Sequence, residues 1–317
     1  MKKIVIAPDS FKESFSALQA AEAIERGFRA VFPETKYEKI PMADGGEGTV
    51  QSVTAALNGS LQTVKVLDPL GREIEAVYGL SGNRKVAIIE MAAASGLHLV
   101  APHERNPLQT TSFGTGQLIA AALEQGVEKI VLGLGGSATN DGGAGMAQAL
   151  GARLVNNKGE AIAFGGGALS QLASIHVDEM HPRLKEVEIK VACDVDNPLL
   201  GETGASSVYG PQKGASAEMI EELDRCLAHY GKYIWEQLGI EVRSVAGAGA
   251  AGGLGAGILA FLNGKLDSGV QLVLEAVDFA TRIKGAELVI TGEGRLDQQT
   301  IFGKTPIGVA KAAKKRK

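Results

Sequence analysis

The sequence predicts an α/β protein of two domains, one of them formed by both chain ends and the other inserted into it. Three observations carry this expectation. Short, continuous apolar runs, suited to strands buried on both faces, are repeatedly followed by glycine-containing turns and then by helix-patterned segments. That order breaks near residue 61, where strand-like segments succeed one another without a helix. The closing run "ELVI" (287–290) is of the same type as the opening "KIVI" (3–6), so the first and last strands can share one sheet.

The elements follow in order. "KIVIA" reads as a buried strand and "PDSFKES" as its turn. Ser16 opens a helix, and Gln19 three residues later completes the pattern of a capping box. "YEKIPM" gives a short strand, "ADGGEGT" a turn and "VQSVTAAL" a helix; alternation this close argues for a parallel sheet with crossover helices. "LQTVKVLDPLGREIEAVYGL" and "KVAIIEM" read as successive strands with local antiparallel pairing around "DPLGR". Alternation resumes with the helix "GTGQLIAAALEQ", the strand "EKIVLGL", a helix near 142–151 and the strand "IKVACDV". A long amphipathic helix is expected over 217–238. The second half of "AGAGAAGGLGAGILAFLNG" reads as helix in spite of its glycines, and the strand "AELVITGEG" and a helix from about 306 close the sequence. The expected division is a Rossmann-like outer domain of 1–65 plus 284–317, with a mixed α/β domain of 66–283 inserted in it.

Composition narrows the class. The chain has 317 residues, 45% hydrophobic and 21% charged, long enough for two cores. A formal charge of −4 gives no electrostatic case for nucleic acid. No apolar stretch approaches the roughly 20 residues of a membrane span, and the N-terminal apolar run is too short for a signal peptide, so the cytoplasm is expected. Cys193 and Cys226 have no metal-site spacing, and nothing requires them to pair. With 42 glycines against a usual fraction near 7%, the chain is rich in tight strand-to-helix turns.

In parallel sheets, ligands bind beyond the carboxyl ends of the strands. The segments there carry Asp9, Ser10 and Lys12; Asp44 and Glu47; Glu90; Asp141; Asp194 and Asp196; and Glu293, Arg295 and Asp297. Carboxylates beside glycines, with cations nearby, suit phosphoryl transfer, which needs a carboxylate-held Mg²⁺, donors on the phosphates and a carboxylate near the attacking hydroxyl. Lys12, Lys213 and Lys304 sit in turns where a point charge could meet phosphate. The blander reading makes Asp and Gly ordinary turn residues and Lys an ordinary surface residue; six such loops in one chain weigh against it.

Standard motifs fit poorly. "GKT" (303–305) lacks the earlier glycine of a P-loop, because Gln298 stands in its place. "GLGGSA" (133–138) matches G-x-G-x-x-A, which suggests an NAD(P)-dependent hydroxy-acid oxidoreductase, but "RLVNNKGE" has Asn156 and Asn157 at the strand end where an acid is expected. No serine stands in G-x-S-x-G, and the five-residue spacing of "HVDEMH" suits no single metal. The loop "GGSATNDGGAG" (135–145), between strand and helix, remains the clearest candidate for gripping an anion, through Ser137, Thr139, Asn140 and Asp141.

Taken together, "IAPDSFKESFSA", "PMADGGEGT", "DPLGR", "IEMAAASGL", "RNPLQTTSFGTG", "GLGGSATNDGGAGM", "VACDVDNPLLGETGAS", "YGPQKGA", "GAGAAGGLGAG" and "VITGEGRLDQQT" resemble the type I glycerate kinases of bacteria, in order along nearly the whole chain. The resemblance implies ATP- and Mg²⁺-dependent phosphorylation of D-glycerate, usually to 2-phosphoglycerate, in a cleft between two α/β domains. Members of that family continue past "GKTPIGVAKAAKK" with a further strand and more helix, so an outer sheet short of one strand is expected. On this reading, position alone makes Asp194 the base for the C2 hydroxyl, and Glu293 or Asp297 the Mg²⁺ ligand. Lys12, Ser10 and Lys213 are phosphate contacts, Arg295 a fork for the glycerate carboxylate, and Asp44 a further substrate or phosphate contact. A homodimer is the candidate assembly. Phosphorylation at C3, and a glycerate-binding sensor without turnover, stay open as alternatives.

Overall fold

The computed structural model of the chain describes residues 2–11, 14–46, 48–295 and 304–314. Its first strand, β1 (Lys3–Ile6), is closed off from water on both sides, with Ile4, Val5 and Ile6 fully buried, as a central parallel strand requires. The remaining strands are β2 (Lys36–Lys39), β3 (Ser60–Leu67), β4 (Glu73–Leu80), β5 (Val86–Glu90), β6 (Lys129–Gly133), β7 (Arg153–Val155), β8 (Ser174–His176), β9 (Glu188–Ala192), β10 (Lys265–Asp267) and β11 (Leu288–Ile290).

They form a three-stranded sheet in the order β11-β1-β2, a six-stranded sheet in the order β10-β9-β6-β5-β4-β3, and a small β7-β8 ribbon. The first sheet is parallel throughout and sets Ile4 opposite Leu288 and Tyr37, so strands from the two ends of the chain do share it. In the second, β5, β6, β9 and β10 are parallel, while β3 and β4 pair antiparallel. The β3–β4 turn is built on Asp68, whose buried carboxylate accepts the Leu70 and Arg72 N–H groups at 2.8 and 2.9 Å. That is an Asx-type turn of the kind "DPLGR" calls for.

Local signals explain the helices. Ser16 and Gln19 close a reciprocal capping box on the helix Ala17–Arg29. The helix Ala217–Leu238 starts on the Ser216 hydroxyl and ends at Gly239 in the left-handed conformation. The expected helix near 142–151 occupies Ala144–Ala149. The helix recorded over Ala250–Phe261 is broken near its start, because Ala251, Gly252 and Gly253 have left-handed angles.

Two helices bind the sheets together. Val50, Val53 and Ala56 from Thr49–Ala56, and Val270, Val273 and Leu274 from Gly269–Ala276, share one apolar cluster with Val5 of β1 and Ile88 of β5. A larger core lies around the six-stranded sheet and the long helix. Among the described residues, no helix is long and apolar enough to cross a membrane, and both cysteines are free thiols.

Candidate active site

A cavity of about 260 Å³ opens where three loops meet beyond strand carboxyl ends. Asp44, Gly45 and Gly46 come from the loop after β2; Leu134 to Ser137 from the loop after β6; Cys193 and Asp194 from the loop after β9. Tyr209 and Gln212 close one side, and Ala250 and Ala251 another. A larger groove of about 800 Å³ lies at the opposite end of the six-stranded sheet, around Glu188 and Lys265, where β9 and β10 begin. Strand-end loops converge only on the smaller cavity of the two, which is the position expected for a ligand in a parallel sheet.

The 135–145 loop divides into a front, Gly135 to Ser137, that lines this cavity and a back that braces it. At the front, the N–H groups of Gly135, Gly136 and Ser137 have no acceptor among the described residues. At the back, several groups are tied, although the Thr139 hydroxyl and the Asn140 side-chain oxygen are buried without a partner among the described residues. Ala138 donates to the Ser95 carbonyl at 2.9 Å, and its own carbonyl accepts from the Thr110 hydroxyl at 2.9 Å. The Thr139 carbonyl accepts from Lys213 Nζ at 2.6 Å, and the Asn140 amide donates to Ser206 at 3.0 Å. Asp141 accepts from the backbone and hydroxyl of Ser112, both at 2.8 Å, and from the N–H groups of Gly143 and Gly145. Gly252 crosses close behind Thr139: a Cβ there would stand 1.9 Å from the Thr139 carbonyl oxygen. Such a framework holds the free donors in place before any ligand arrives.

The charges around the cavity are mostly negative. Asp194 accepts the Gly269 N–H at 3.0 Å, which ties the β9 loop to the N-terminus of the helix Gly269–Ala276. Burial raises the Asp194 carboxyl above the usual range, the Gly269 and Ser268 bonds oppose this, and the Asp44 charge adds to it. Asp9 accepts from Ser10 N–H and the Thr305 hydroxyl, each at 2.6 Å. Burial raises it as well, against those bonds, and the charges of Asp44 and Glu293 contribute. Asp44 is therefore the hub of a carboxylate series running from the small sheet to the large one.

The profile of the glycerate kinase family matches residues 4–317. The chain belongs to that family. A glycerate kinase of Halalkalibacterium halodurans is 64% identical over 314 residues, covering 99% of this chain and 83% of that protein. A glycerate 2-kinase of Escherichia coli is 56% identical over 313 residues, covering 99% of this chain and 82% of that protein. A crystal structure from Salmonella typhimurium LT2, of a protein described as glycerate kinase 2, shares 55% identity and a TM-score of 0.96, covering 99% of this chain and 84% of that one. The fold is that of the family, and the chain is a kinase. "GLGGSA" is thus a loop of a phosphotransferase despite its dinucleotide-like spacing.

Within this family framework the residues singled out from the sequence fall into three groups. Asp44, Ser137 and Asp194 line the cavity together. Ser10 and Glu293 lie beside Asp9 in the adjoining part of the carboxylate series, and Arg295 is exposed on the loop after β11. Thr139, Asn140, Asp141 and Lys213 are buried, at 0, 0, 1 and 1% exposure, and none lines the cavity. The Lys213 amine, the Asn140 amide and the Asp141 carboxylate each bond to another part of the protein and brace the loop from behind. Lys12 and Asp297 lie outside the described residues. Tyr209 and Gln212 had not been singled out from the sequence. They flank Lys213 in "YGPQK", a stretch whose lysine drew attention through its charge while its uncharged residues carried no signal.

Proposed function

We propose that the chain transfers the γ-phosphoryl group of ATP to the C2 hydroxyl of D-glycerate, giving 2-phospho-D-glycerate and ADP. One observation carries the reading: Gly135, Gly136 and Ser137, whose backbone N–H groups have no acceptor among the described residues, line a small cavity together with Asp44 and Asp194. Donors fixed toward one anion and carboxylates toward a hydroxyl are what in-line phosphoryl transfer to an alcohol demands. The relatives named above as glycerate kinases and a glycerate 2-kinase support glycerate and its C2 position.

Asp194 is the residue that orients the substrate hydroxyl and takes its proton. Its raised carboxyl makes it a better base than an ordinary surface aspartate. The 135–137 amides grip an anionic group of the substrate or of the nucleotide, at low cost because they need not reorganise. Ser10 and Lys12 contact phosphate, and Arg295 pairs with the glycerate carboxylate. Mg²⁺ suits hard oxygen donors such as Asp44 and its neighbours; burial raises the Asp9 and Asp194 carboxyls first, and the Asp44 charge adds to it. Asp44 and Glu293, with Asp297, would hold it. When bound it neutralises charge on the phosphoryl group in flight. The cytoplasm, where ATP is at hand, suits this chemistry.

The test is a coupled ADP-release assay with D-glycerate, ATP and Mg²⁺, followed by phosphorus NMR of the product. ADP formation with a 2-phosphoglycerate resonance is expected. A 3-phosphoglycerate resonance would overturn the C2 assignment. Calorimetric binding of glycerate without ADP release would overturn turnover itself.

A further inference from the structure

We infer that Lys213 is a positioning residue: its Nζ pins the 135–141 loop to the segment 205–213, and so sets the amides that face the cavity. Its consequence for turnover rests on the kinase reading above, whereas the pin itself does not.

Lys213 closes the short 3₁₀ turn Pro211–Lys213 and points away from solvent, at 1% exposure. Burying an amine is unfavourable unless something inside compensates it. The compensation here is the Thr139 carbonyl, 74 residues away in sequence and 2.6 Å away in space, reinforced by the nearby charge of Asp141. The carbonyl belongs to the back of the loop whose front carries the three unengaged N–H groups. A second tie runs between the same two segments, from the Asn140 amide to Ser206. The turn is fixed from its other side as well: the Gln212 carbonyl accepts from Arg105 at 3.3 Å. Tyr209 and Gln212 of the same segment line the cavity. One short stretch thus contributes two residues to the cavity lining and ties a third to the back of the 135–141 loop. A displacement of either segment moves both walls.

Hydrogen exchange and steady-state kinetics on the full chain test this. In Lys213→Met, peptides covering 135–141 are expected to exchange about tenfold faster than in wild type, while the core strands β5 and β6 stay protected. Kinetics should then split: KM for whichever substrate carries the gripped anion rises about tenfold, and KM for the other changes less than about twofold. A merely structural role would lower the active fraction and leave both KM values alone. Lys213→Arg, which keeps a donor and a charge, is expected to restore most of the protection. Should the methionine variant not fold, Lys213→Gln provides the same comparison. Wild-type exchange of the loop in a folded methionine or glutamine variant overturns the inference. Faster loop exchange in a protein whose wild type releases no ADP with glycerate leaves the pin standing and sinks the proposed function instead.

Discussion

Lys213 and Asp194 show how burial, rather than residue type, sets a role. Burial pushes the Lys213 amine down to about 7 from its usual 10.5, although Asp141 pulls the other way. The unfolded chain therefore binds more protons than the folded one between those values. Stability from this residue is highest above the unfolded value and falls as pH drops toward 7. Urea unfolding should find wild type gaining on Lys213→Met by up to about 4 kcal/mol between pH 7 and pH 10; parallel pH profiles for the two proteins would contradict this. Asp194 is the opposite case, a carboxylate kept at a cavity wall. Asp194→Asn keeps the shape and removes the base, so kcat should fall at least about 100-fold with little change in unfolding midpoint. Turnover near that of wild type would remove Asp194 from the proton-transfer role. In the sequence Lys213 stood out as a charge between glycines and Asp194 as a carboxylate at a strand end. Which of the two faces inward could not be read there, because exposure is settled by segments far away in the chain.

Elements were legible where their signals are local. The capping box at Ser16 and Gln19, the Asp68 turn and the continuous apolar runs of β1, β5 and β6 all depend on neighbours within a few residues. The kink at 251–253 is different. Gly252 and Gly253 accept left-handed angles readily, but Ala251 holds φ 52° and ψ 41° against its own preference, on the cavity wall. What imposes the kink is the loop behind it, where Gly142 N–H donates to the Gly252 carbonyl at 3.1 Å and Gly252 abuts Thr139. Ala251→Gly is expected to stabilise the fold by about 1 kcal/mol by relieving that strain. A loss of stability in urea titration would show that the alanine methyl packs to greater effect than its backbone is strained.

At the scale of the whole molecule, the helix Gly269–Ala276 is the joint. Its apolar side belongs to the cluster shared by both sheets, Glu275 at its far end pairs with Lys129 of β6 and Lys190 of β9, and its first residue sits between the Asp44 and Asp194 loops. A Cβ on Gly269 would stand 1.9 Å from the Asp44 carbonyl oxygen and 2.8 Å from Asp194 Oδ2. Gly269→Ala should therefore cost about 1–3 kcal/mol by overpacking. It should also reduce kcat/KM at least about tenfold by forcing the two carboxylate loops apart. Wild-type kinetics in that variant would mean that the spacing of Asp44 and Asp194 is not critical. Since β3 pairs in the large sheet from Ser60 and β10, at the far edge of that sheet, ends at Asp267, we propose an inserted unit running from about residue 60 to residue 268, with the remainder as the outer one. The sequence by itself determined the buried strands β1, β5, β6 and β9, the Ser16 cap and the set of strand-end loops, because apolar period and turn chemistry are properties of short windows. Only the tertiary structure decided which loops meet, and that "GGSATNDGGAG" lines the cavity with its first three residues while the Thr139 carbonyl, Asn140 and Asp141 anchor it. Exposure and hydrogen-bond partnership are fixed by contacts between residues tens of positions apart, and no short window contains them.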